Sequence, residues 1–573
     1  MTNIDLAVTF DEIADLLEFT EANPFRVRAY RNAARTLRDL PEPVTTILQD
    51  ANRKLTEIEG IGKDLAEKIK VLVATGDLPM RQELLAQVPA SAPTLLRVPG
   101  LGPKKAAVLV KELNIKTLDE LRAACEAQRV RGLKGFGAKT EQTILVGLAS
   151  ASTAADRMYW AEADEYVTRL LEWLRAEGGG VSQLAPAGSY RRGRETVGDV
   201  DLLAVADDGE KLMDRLRAFP GVAEVLGRGD TKMSVRLGVG LQVDLRVVPE
   251  ESFGAALQYF TGSKDHNVVL RGRAKARGLK INEYGVFRGD EQIAGRIEEE
   301  VYATLDLPCF PPELREARRE FDWAARPAGL PKLIELADLV GDLHMHTDAT
   351  DGSATLDEMV EAAKARGLKY IAITDHSKRV SMAGGLDADR LLAQWEAIDR
   401  LNARKPGITV LRGIECDILE RGGLDLPDDV LREADWVLAS LHYGQKQPRD
   451  QITRRLVEAI RNPYVSAIAH PTGRIINRRK SYDVDLEAVF REARDHGKLL
   501  ELNANPARLD LDDVNCAAAK NYGIPIIIST DAHSTAELDK MRYGVLQARR
   551  GGLTVDDVAN TRSWPKLKKL VGK

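Results

Sequence analysis

Hydrophobic and polar positions divide the 573-residue chain into three blocks. Over residues 1–150, apolar residues recur at helical spacing and are interrupted by Gly-centred turns, which predicts short helices. Residues 155–318 mix helical periodicity with strands. Leu241-Gln242-Val243-Asp244-Leu245-Arg246-Val247 alternates strictly, with 241, 243, 245 and 247 on the apolar face. A polar stretch rich in Arg and Pro then reads as a linker over 319–338. From 339 onward, short apolar runs alternate with helical patterns, which implies a parallel sheet or barrel. The fold class expected is multidomain, α+β and α/β. Its divisions are expected at 1–90, 91–150, 151–250, 251–318, 319–338 and 339–573.

Composition narrows the class without naming it. Hydrophobic residues make up 44% and charged residues 29%, a soluble globular balance. No apolar run approaches the roughly 20 residues that span a bilayer. The start, MTNIDLAVTFDEIADLL, is acidic and amphipathic, unlike a secretory signal. Cys125, Cys309, Cys416 and Cys516 are scattered, which argues against a disulfide framework and for a reducing cytoplasm. The net charge is −5, yet residues 51–150 carry 16 Lys/Arg against 11 Asp/Glu, while residues 1–50 carry 5 against 9. The basic window reads either as a phosphate-facing surface or as a solvated face.

The same window holds an internal repeat. IEGIGKDLAEKI (58–69), VPGLGPKKAAVLV (98–110) and LKGFGAKTEQTIL (133–145) each place an apolar residue before G-x-G and an amphipathic helix after it. The pairs are Gly60 and Gly62, Gly100 and Gly102, Gly135 and Gly137. Glycine permits the tight turn, and the helix start offers free N–H groups to an anion. The repeat resembles the helix-hairpin-helix element, which implies a grip on the DNA backbone.

Two carboxylates stand out in the second block. Gly188-Ser189-Tyr190-Arg191-Arg192-Gly193 precedes Gly198-Asp199-Val200-Asp201, and an apolar strand follows. Asp199 and Asp201, two apart on a strand, share a face and repel unless a divalent cation joins them. Asp244, on the polar face of a second strand, would complete a two-metal site for phosphoryl transfer. Alone, Asp-x-Asp fits a solvated edge strand equally well. In order with Tyr259-Phe260-Thr261-Gly262-Ser263 and Ile281-Asn282-Glu283-Tyr284, however, residues 5–318 resemble the family X DNA polymerases.

That resemblance implies a nucleotidyltransferase-type palm at 151–250 and a nucleotide-selection and thumb subdomain at 251–318. Asp199, Asp201 and Asp244 would be the catalytic metal ligands, with Mg2+ or Mn2+. Gly188, Ser189 and Arg192 would hold the triphosphate. Tyr259, Phe260 and Gly262 would meet the incoming sugar, and Asn267 the base. Arg271 would touch the template, and Glu283 would support closure. Gln242, where an Arg is usual, and Lys264 depart from the vertebrate pattern. The resemblance also implies an N-terminal lyase-like domain at 1–90 and a helix-hairpin-helix subdomain at 91–150. Lys68 falls at the lyase's Schiff-base position, with Arg26 and Tyr30 nearby. Asp64 and Met80 replace lysines of vertebrate relatives, so 5′-phosphate binding is expected ahead of lyase chemistry.

Six of the eight histidines punctuate the third block. Asp342-Leu-His344-Met-His346, Thr374-Asp375-His376, Gly413-Ile-Glu415, Ser440-Leu-His442, Ala469-His470 and Thr530-Asp531-Ala-His533 each follow an apolar run. A seventh run ends in Asn503. Polar residues at successive strand ends converge on one rim of a β/α barrel. Imidazoles with carboxylates suit zinc or manganese. His266 and His496 lie outside the pattern and are read as structural.

Residues 339–573 resemble the polymerase and histidinol phosphatase (PHP) domain, which implies a distorted seven-stranded β/α barrel. His344, His346, Glu415 and Asp531 would hold one ion. Glu415, His442 and His470 would hold a second. Asp351, His376 and His533 would hold a third. Arg474, Arg478, Arg479 and Lys480 could seat a DNA backbone or form a solvated loop.

The joined pattern implies a repair polymerase that fills short gaps from a template. It would use gapped or primer–template DNA and deoxynucleoside triphosphates, as a monomer with no membrane partner. Its barrel would supply metal-dependent 3′–5′ exonuclease activity, with abasic-site endonuclease or 3′-phosphatase activity as further options. Two alternatives stand beside it. One is a non-enzymatic DNA-end scaffold. The other is a small-molecule phosphatase fused to an untemplated nucleotidyltransferase.

Overall fold

The computed structural model describes residues 3–20, 22–40, 44–50, 53–58, 60–88, 95, 101–115, 117–133, 135–138, 140–145, 157–176 and 180–572. The chain divides into two compact units, 1–156 and 157–573.

The first unit is helical. Asn3–Phe19 and Pro24–Asp39 pack as an antiparallel pair. Leu6, Phe10, Ile13 and Leu17 recur at helical spacing and are buried with Tyr30, Ala33, Ala34 and Leu37. Asn23 caps the second helix through the Phe25 N–H, and Pro24 supplies a preset first turn. The G-x-G turns at 60–62 and 135–137 are built alike. Gly60 and Gly135 have φ of +87°, a region L-residues avoid. Ile61, Leu101 and Phe136, the middle residues, are buried anchors. Gly62 and Gly102 are the N-caps of Lys63–Thr75 and Pro103–Leu113. Gly100 lies outside the described residues.

The second unit begins with a five-stranded sheet. Its spatial order is Val181–Pro186, Asp199–Ala206, Gln242–Val247, Lys232–Leu237, Val222–Arg228. Only the pair Asp199–Ala206 and Gln242–Val247 runs parallel, and the other pairs are antiparallel. Helices Trp160–Arg175 and Gly209–Arg217 bury their apolar stripes against one face. Helices Phe253–Thr261 and Lys264–Ala276 follow. A small antiparallel sheet comes next, of Lys280–Asn282, Gly285–Arg288 and Glu291–Ala294.

The segment 319–338 is not a free tether. Phe321 on the helix Glu320–Ala325 stacks on His266 at 4.8 Å. Ile334 is fully buried in the barrel core, and its N–H donates to Leu553 O at 3.0 Å. A few apolar residues anchor a stretch whose polar majority suggested a linker. His266 is structural: its Nδ1 lies 2.8 Å from Glu320 and its Nε2 2.9 Å from Tyr302 Oη.

The C-terminal sheet has seven parallel strands in chain order: Gly341–Asp342, Tyr370–Ile373, Thr409–Asp417, Trp436–Ser440, Ala467–Ile468, Leu499–Asn503 and Ile526–Ser529. Beyond the last strand, a parallel bridge between Met345 and Ala532 joins it back to the first. His346 N donates to Ala532 O at 2.8 Å, and Asp531 N to His344 O at 2.9 Å. Closure occurs through the residues that carry the His-x-His and Asp-x-His motifs, so it places those motifs side by side. All five residues of Trp436–Ser440 and of Leu499–Asn503 are buried, as strands covered on both faces require.

Candidate functional site

Three sites predicted from sequence can be located. In the first unit, Gly62, Gly102 and Gly137 have no protein atom within 4 Å of where a Cβ would stand. Their glycines therefore leave open space at the helix starts rather than serve tight packing. Lys68 pairs with Asp64 one turn earlier and lies 5.5 Å from the Tyr30 ring. Burial alone would lower the Lys68 pKa, but Asp64 and Tyr30 raise it above the ordinary lysine value. A Schiff-base lysine needs the neutral amine. Met80 Sδ sits 3.0 Å from Arg26 and 3.4 Å from Tyr30 Oη, where it adds no charge. Asp64→Ala removes a partner that raises the pKa. It is expected to increase borohydride-trapped Lys68–DNA adduct several-fold on 5′-deoxyribose-phosphate DNA. An unchanged trap yield would show that Asp64 does not control this amine.

In the palm, parallel pairing sets Asp201 directly opposite Asp244 and Asp199 opposite Gln242. Gly188, at φ +66°, covers Asp201: a Cβ there would lie 2.8 Å from Asp201 Oδ2. Burial, Asp199 and Asp244 together push Asp201 up to about 6. The three carboxylates thus repel one another and favour a cation among them. Asp244 differs because Lys232 Nζ lies 2.7 Å from its Oδ2 and Gln242 Nε2 donates to its Oδ1 at 3.1 Å. Burial raises its pKa, but Lys232, Ser234 and Gln242 bring it below the ordinary range. Lys232 was missed from sequence. It is brought to Asp244 by the neighbouring antiparallel strand, a contact 12 residues apart in sequence.

The remaining nucleotide-site candidates gather at the end of helix Phe253–Thr261. Gly262 closes it at φ +69°, and a Cβ there would stand 3.2 Å from Arg192 Nη1. Arg192 bonds the Thr261 carbonyl through Nη1 and Glu316 through Nε at 3.2 Å. Arg191 takes Glu298 and Thr261. Asn267 Nδ2 donates to Tyr259 O at 2.8 Å while Oδ1 accepts from Gln258 at 2.7 Å, which leaves one amide N–H. Arg246 lies over the Phe260 ring at 4.4 Å and Arg271 over Tyr259 at 5.2 Å. Ser189 belongs to the short helix Gly188–Arg191. Glu283 sits in the turn before Gly285–Arg288 and makes no ion pair among the described residues.

The barrel rim brings all nine predicted ligands together. His344 Nε2 and His346 Nε2 lie 3.4 and 3.2 Å from Asp531 Oδ1, and 3.4 and 3.6 Å from Glu415 Oε2. Glu415 turns its other oxygen to His470 and His442, at 3.0 and 3.4 Å. Asp351 Oδ2 is 3.4 Å from His376 and 3.5 Å from His533. The geometry also draws His376 toward Glu415, at 2.8 Å, and His346 Nδ1 toward Asp351, at 3.8 Å. The three groups therefore share members more than the sequence suggested.

These residues fit metal ions on two observations. His344 Nε2, His346 Nε2, His376 Nδ1 and Glu415 Oε2 are buried with no hydrogen-bond partner, which is costly unless a ligand takes them. The carboxylates also draw positive charge to some of the rings, while burial lowers the His346 pKa to about 4 and lowers that of His470. At His376 burial opposes the charge as well, yet Glu415 and Asp351 push it up to about 10.

Outer partners hold the rings. Glu501 Oε1 lies 2.7 Å from His344 Nδ1, and its Oε2 accepts from His470 N at 2.7 Å. That fixes the His344 proton on Nδ1 and turns the Nε2 lone pair to the rim. Asp417 is 3.1 Å from His442 Nδ1, and Asn503 donates to Asp531 Oδ2 at 3.0 Å. Glu501 went unrecognised because it sits inside an apolar strand, two residues before the Asn that ends it. Arg508 Nε, 3.8 Å from Asp531, was also missed. Glu501→Gln is expected to lower metal affinity and barrel phosphoesterase rate about 10- to 100-fold. Equilibrium metal titration checks it, and wild-type affinity would remove Glu501 from the site.

Of the basic run after His470, Arg474 is half-buried and committed. It pairs with Glu195 at 2.5 Å and with the Leu509 carbonyl. It therefore does not face DNA, whereas Arg478, Arg479 and Lys480 are exposed.

Comparisons with known proteins agree with this layout. Family models match as a helix-hairpin-helix domain at 1–78 and a SAM-like helix-hairpin-helix tandem at 92–150. Others match as a DNA polymerase beta thumb at 256–316 and a PHP domain at 342–505. The DNA polymerase/3'-5' exonuclease PolX of Bacillus subtilis (strain 168) is 41% identical over 572 residues, 98% of this chain and 97% of that protein. A probable phosphatase of Thermoanaerobacter sp. (strain X514) is 32% identical over 234 residues, 39% of this chain and 91% of the relative. One of Caldicellulosiruptor saccharolyticus is 35% identical over 207 residues, 34% of this chain and 81% of the relative. With a relative above 40% identity over nearly the full chain, and with thumb and PHP matches of its own, the chain belongs to the family X DNA polymerases that carry a C-terminal PHP domain.

Proposed function

We propose that this enzyme fills short DNA gaps by templated nucleotide addition and removes 3′-terminal nucleotides with its barrel. The observation that carries the reading is that both ligand sets are complete in one chain. That chain also aligns end to end with a relative named for both activities. The scaffold alternative has no lost ligand to support it. The small-molecule alternative does not account for the helix-hairpin-helix matches that cover most of residues 1–150.

At the palm, Asp199, Asp201 and Asp244 hold Mg2+ or Mn2+, which supply charge neutralisation for in-line phosphoryl transfer. Ser189, Arg192 and the Gly188 backbone hold the triphosphate. Tyr259, Phe260 and Gly262 seat the sugar, and the free N–H of Asn267 meets the base. Arg271 meets the template and Glu283 supports closure. Asp244 takes the proton of the primer 3′-hydroxyl as that oxygen attacks the α-phosphorus and pyrophosphate departs.

At the barrel, His344, His346, Asp351, His376, Glu415, His442, His470, Asp531 and His533 hold up to three zinc or manganese ions. Those ions supply a water-derived nucleophile at neutral pH. Glu501 and Asp417 keep the imidazoles in their ligand tautomers, and Arg508 steadies the phosphate.

Gly60, Gly62, Gly102, Gly135 and Gly137 shape the turns that grip the DNA backbone, and Lys68 binds a 5′-phosphate as an ammonium. No described helix is long and apolar enough to cross a membrane, and the four cysteines are free. The proposed enzyme is a monomer working in the cytoplasm. One gapped primer–template tests the reading. Primers should lengthen by the templated base when deoxynucleotides are present and shorten from the 3′ end when they are absent. Incorporation that ignored the template base would instead favour an untemplated nucleotidyltransferase.

A further inference from the structure

The helix Met541–Arg550 belongs to the barrel, yet its last residues reach the polymerase half. Arg549 Nε is 2.7 Å from Glu313. Arg550 Nη1 is 3.1 Å from Glu316 Oε1 and donates to the Arg192 carbonyl at 2.8 Å. Its Nη2 is 2.7 Å from Asp513, another barrel residue. Glu316 Oε1 is in turn 3.2 Å from Arg192 Nε. One carboxylate oxygen thus joins a barrel arginine to the second arginine of the G-S-x-R-R-G motif. The next residue, Gly193, packs so closely on this helix that a Cβ would stand 2.6 Å from Leu546 Cγ.

The contacts are enclosed. The Arg550 side chain is 1% exposed, and that of Glu316 is 13% exposed. In such surroundings, removing one partner leaves the other charge buried and uncompensated, so Glu316 must find another cation. Glu316 engages Arg192 through Nε, and the Thr261 carbonyl takes Nη1. Among the described residues, Arg192 Nη2 has no protein acceptor, so it remains for an anion. Arg550, at 3.1 Å, shares the charge of Glu316 Oε1 more closely than Arg194 does, at 3.8 Å. Without Arg550, Glu316 would pull Arg192 into a two-pronged pair and occupy that donor as well.

We propose that the barrel is a working part of the nucleotide site: Arg550 is a positioning residue that restrains Glu316 and so keeps Arg192 aimed at the triphosphate. The inference rests on the assignment of Arg192 to the triphosphate made above.

The test is steady-state gap filling by the full chain, with Arg550→Lys, Arg192→Lys and the double variant. Arg550→Lys keeps the charge but cannot bridge Glu316, Asp513 and a carbonyl in one plane. The expected result is a rise in nucleotide KM of about tenfold with kcat within about threefold. Single-strand nuclease activity should stay within about twofold of wild type, which serves as the check on folding. In the Arg192→Lys background, Arg550→Lys should add no further increase, because the two act in series. If Arg192→Lys leaves KM unchanged, the triphosphate assignment itself fails. If Arg192→Lys raises KM but Arg550→Lys does not, the assignment stands and the barrel's role is overturned. Equal losses of nuclease and gap-filling rates in Arg550→Lys would reduce the arginine to a role in folding and overturn it too.

Discussion

Asp201→Ala is expected to cut primer extension at least about a thousandfold, roughly 4 kcal/mol of barrier, while primer degradation continues. Asp201 is the middle carboxylate of its set. It faces Asp244 across the parallel strands and lies beneath Gly188. Its pKa, pushed up to about 6 by burial and by Asp199 and Asp244, measures how strongly the site calls for a cation. Removing it takes away a ligand placed between the other two carboxylates. Little stability is at risk, since truncation relieves repulsion in a half-buried position. Asp201→Asn, which keeps the shape without the charge, should fail equally. The measurement is single-turnover extension on gapped DNA beside 3′ degradation without nucleotides. Loss of both activities would show that the two sites are not separate.

Much of this was legible in the chain, for a reason that differs from site to site. The candidate barrel ligands follow apolar runs, and strand ends of a barrel share one rim, so linear pattern translates into proximity. The palm aspartates were legible because residues two apart on a strand share a face, and parallel pairing then sets Asp201 opposite Asp244. Contacts made across elements were not legible. Lys232 reaches Asp244 from a neighbouring strand, Glu501 hides within an apolar run, and Arg550 meets Glu316 across 234 residues. Arg474 read as a DNA-facing cation because nothing in its neighbourhood names Glu195 as its partner, 279 residues away. The stretch 319–338 reads as a linker because composition averages over the few side chains that anchor it.

His346→Ala is the reciprocal case: degradation should fall at least about a thousandfold while extension stays near wild type. His346 is the best single probe because its ring stands between two ligand groups. Nε2 faces Asp531 and Glu415 while Nδ1 faces Asp351. The ring also lies 4.3 Å from His533 and 4.4 Å from His376. Losing it therefore removes a ligand from one group and the support of its neighbours in the other. It is fully buried, so truncation leaves a cavity as well. His346→Asn, which fills more of that space, separates the two effects: it should recover stability and not degradation. The main chain argues that damage stays local, since the His346 N–H is committed to the Ala532 carbonyl whatever the side chain. Asp244 and Asp201 lie on a different sheet and share no ligand with this rim. A variant that degraded primers at the wild-type rate would remove the barrel as the nuclease. One that lost extension in parallel would mean that the rim also supports the polymerase fold, through the same barrel whose last helix ends on Arg550.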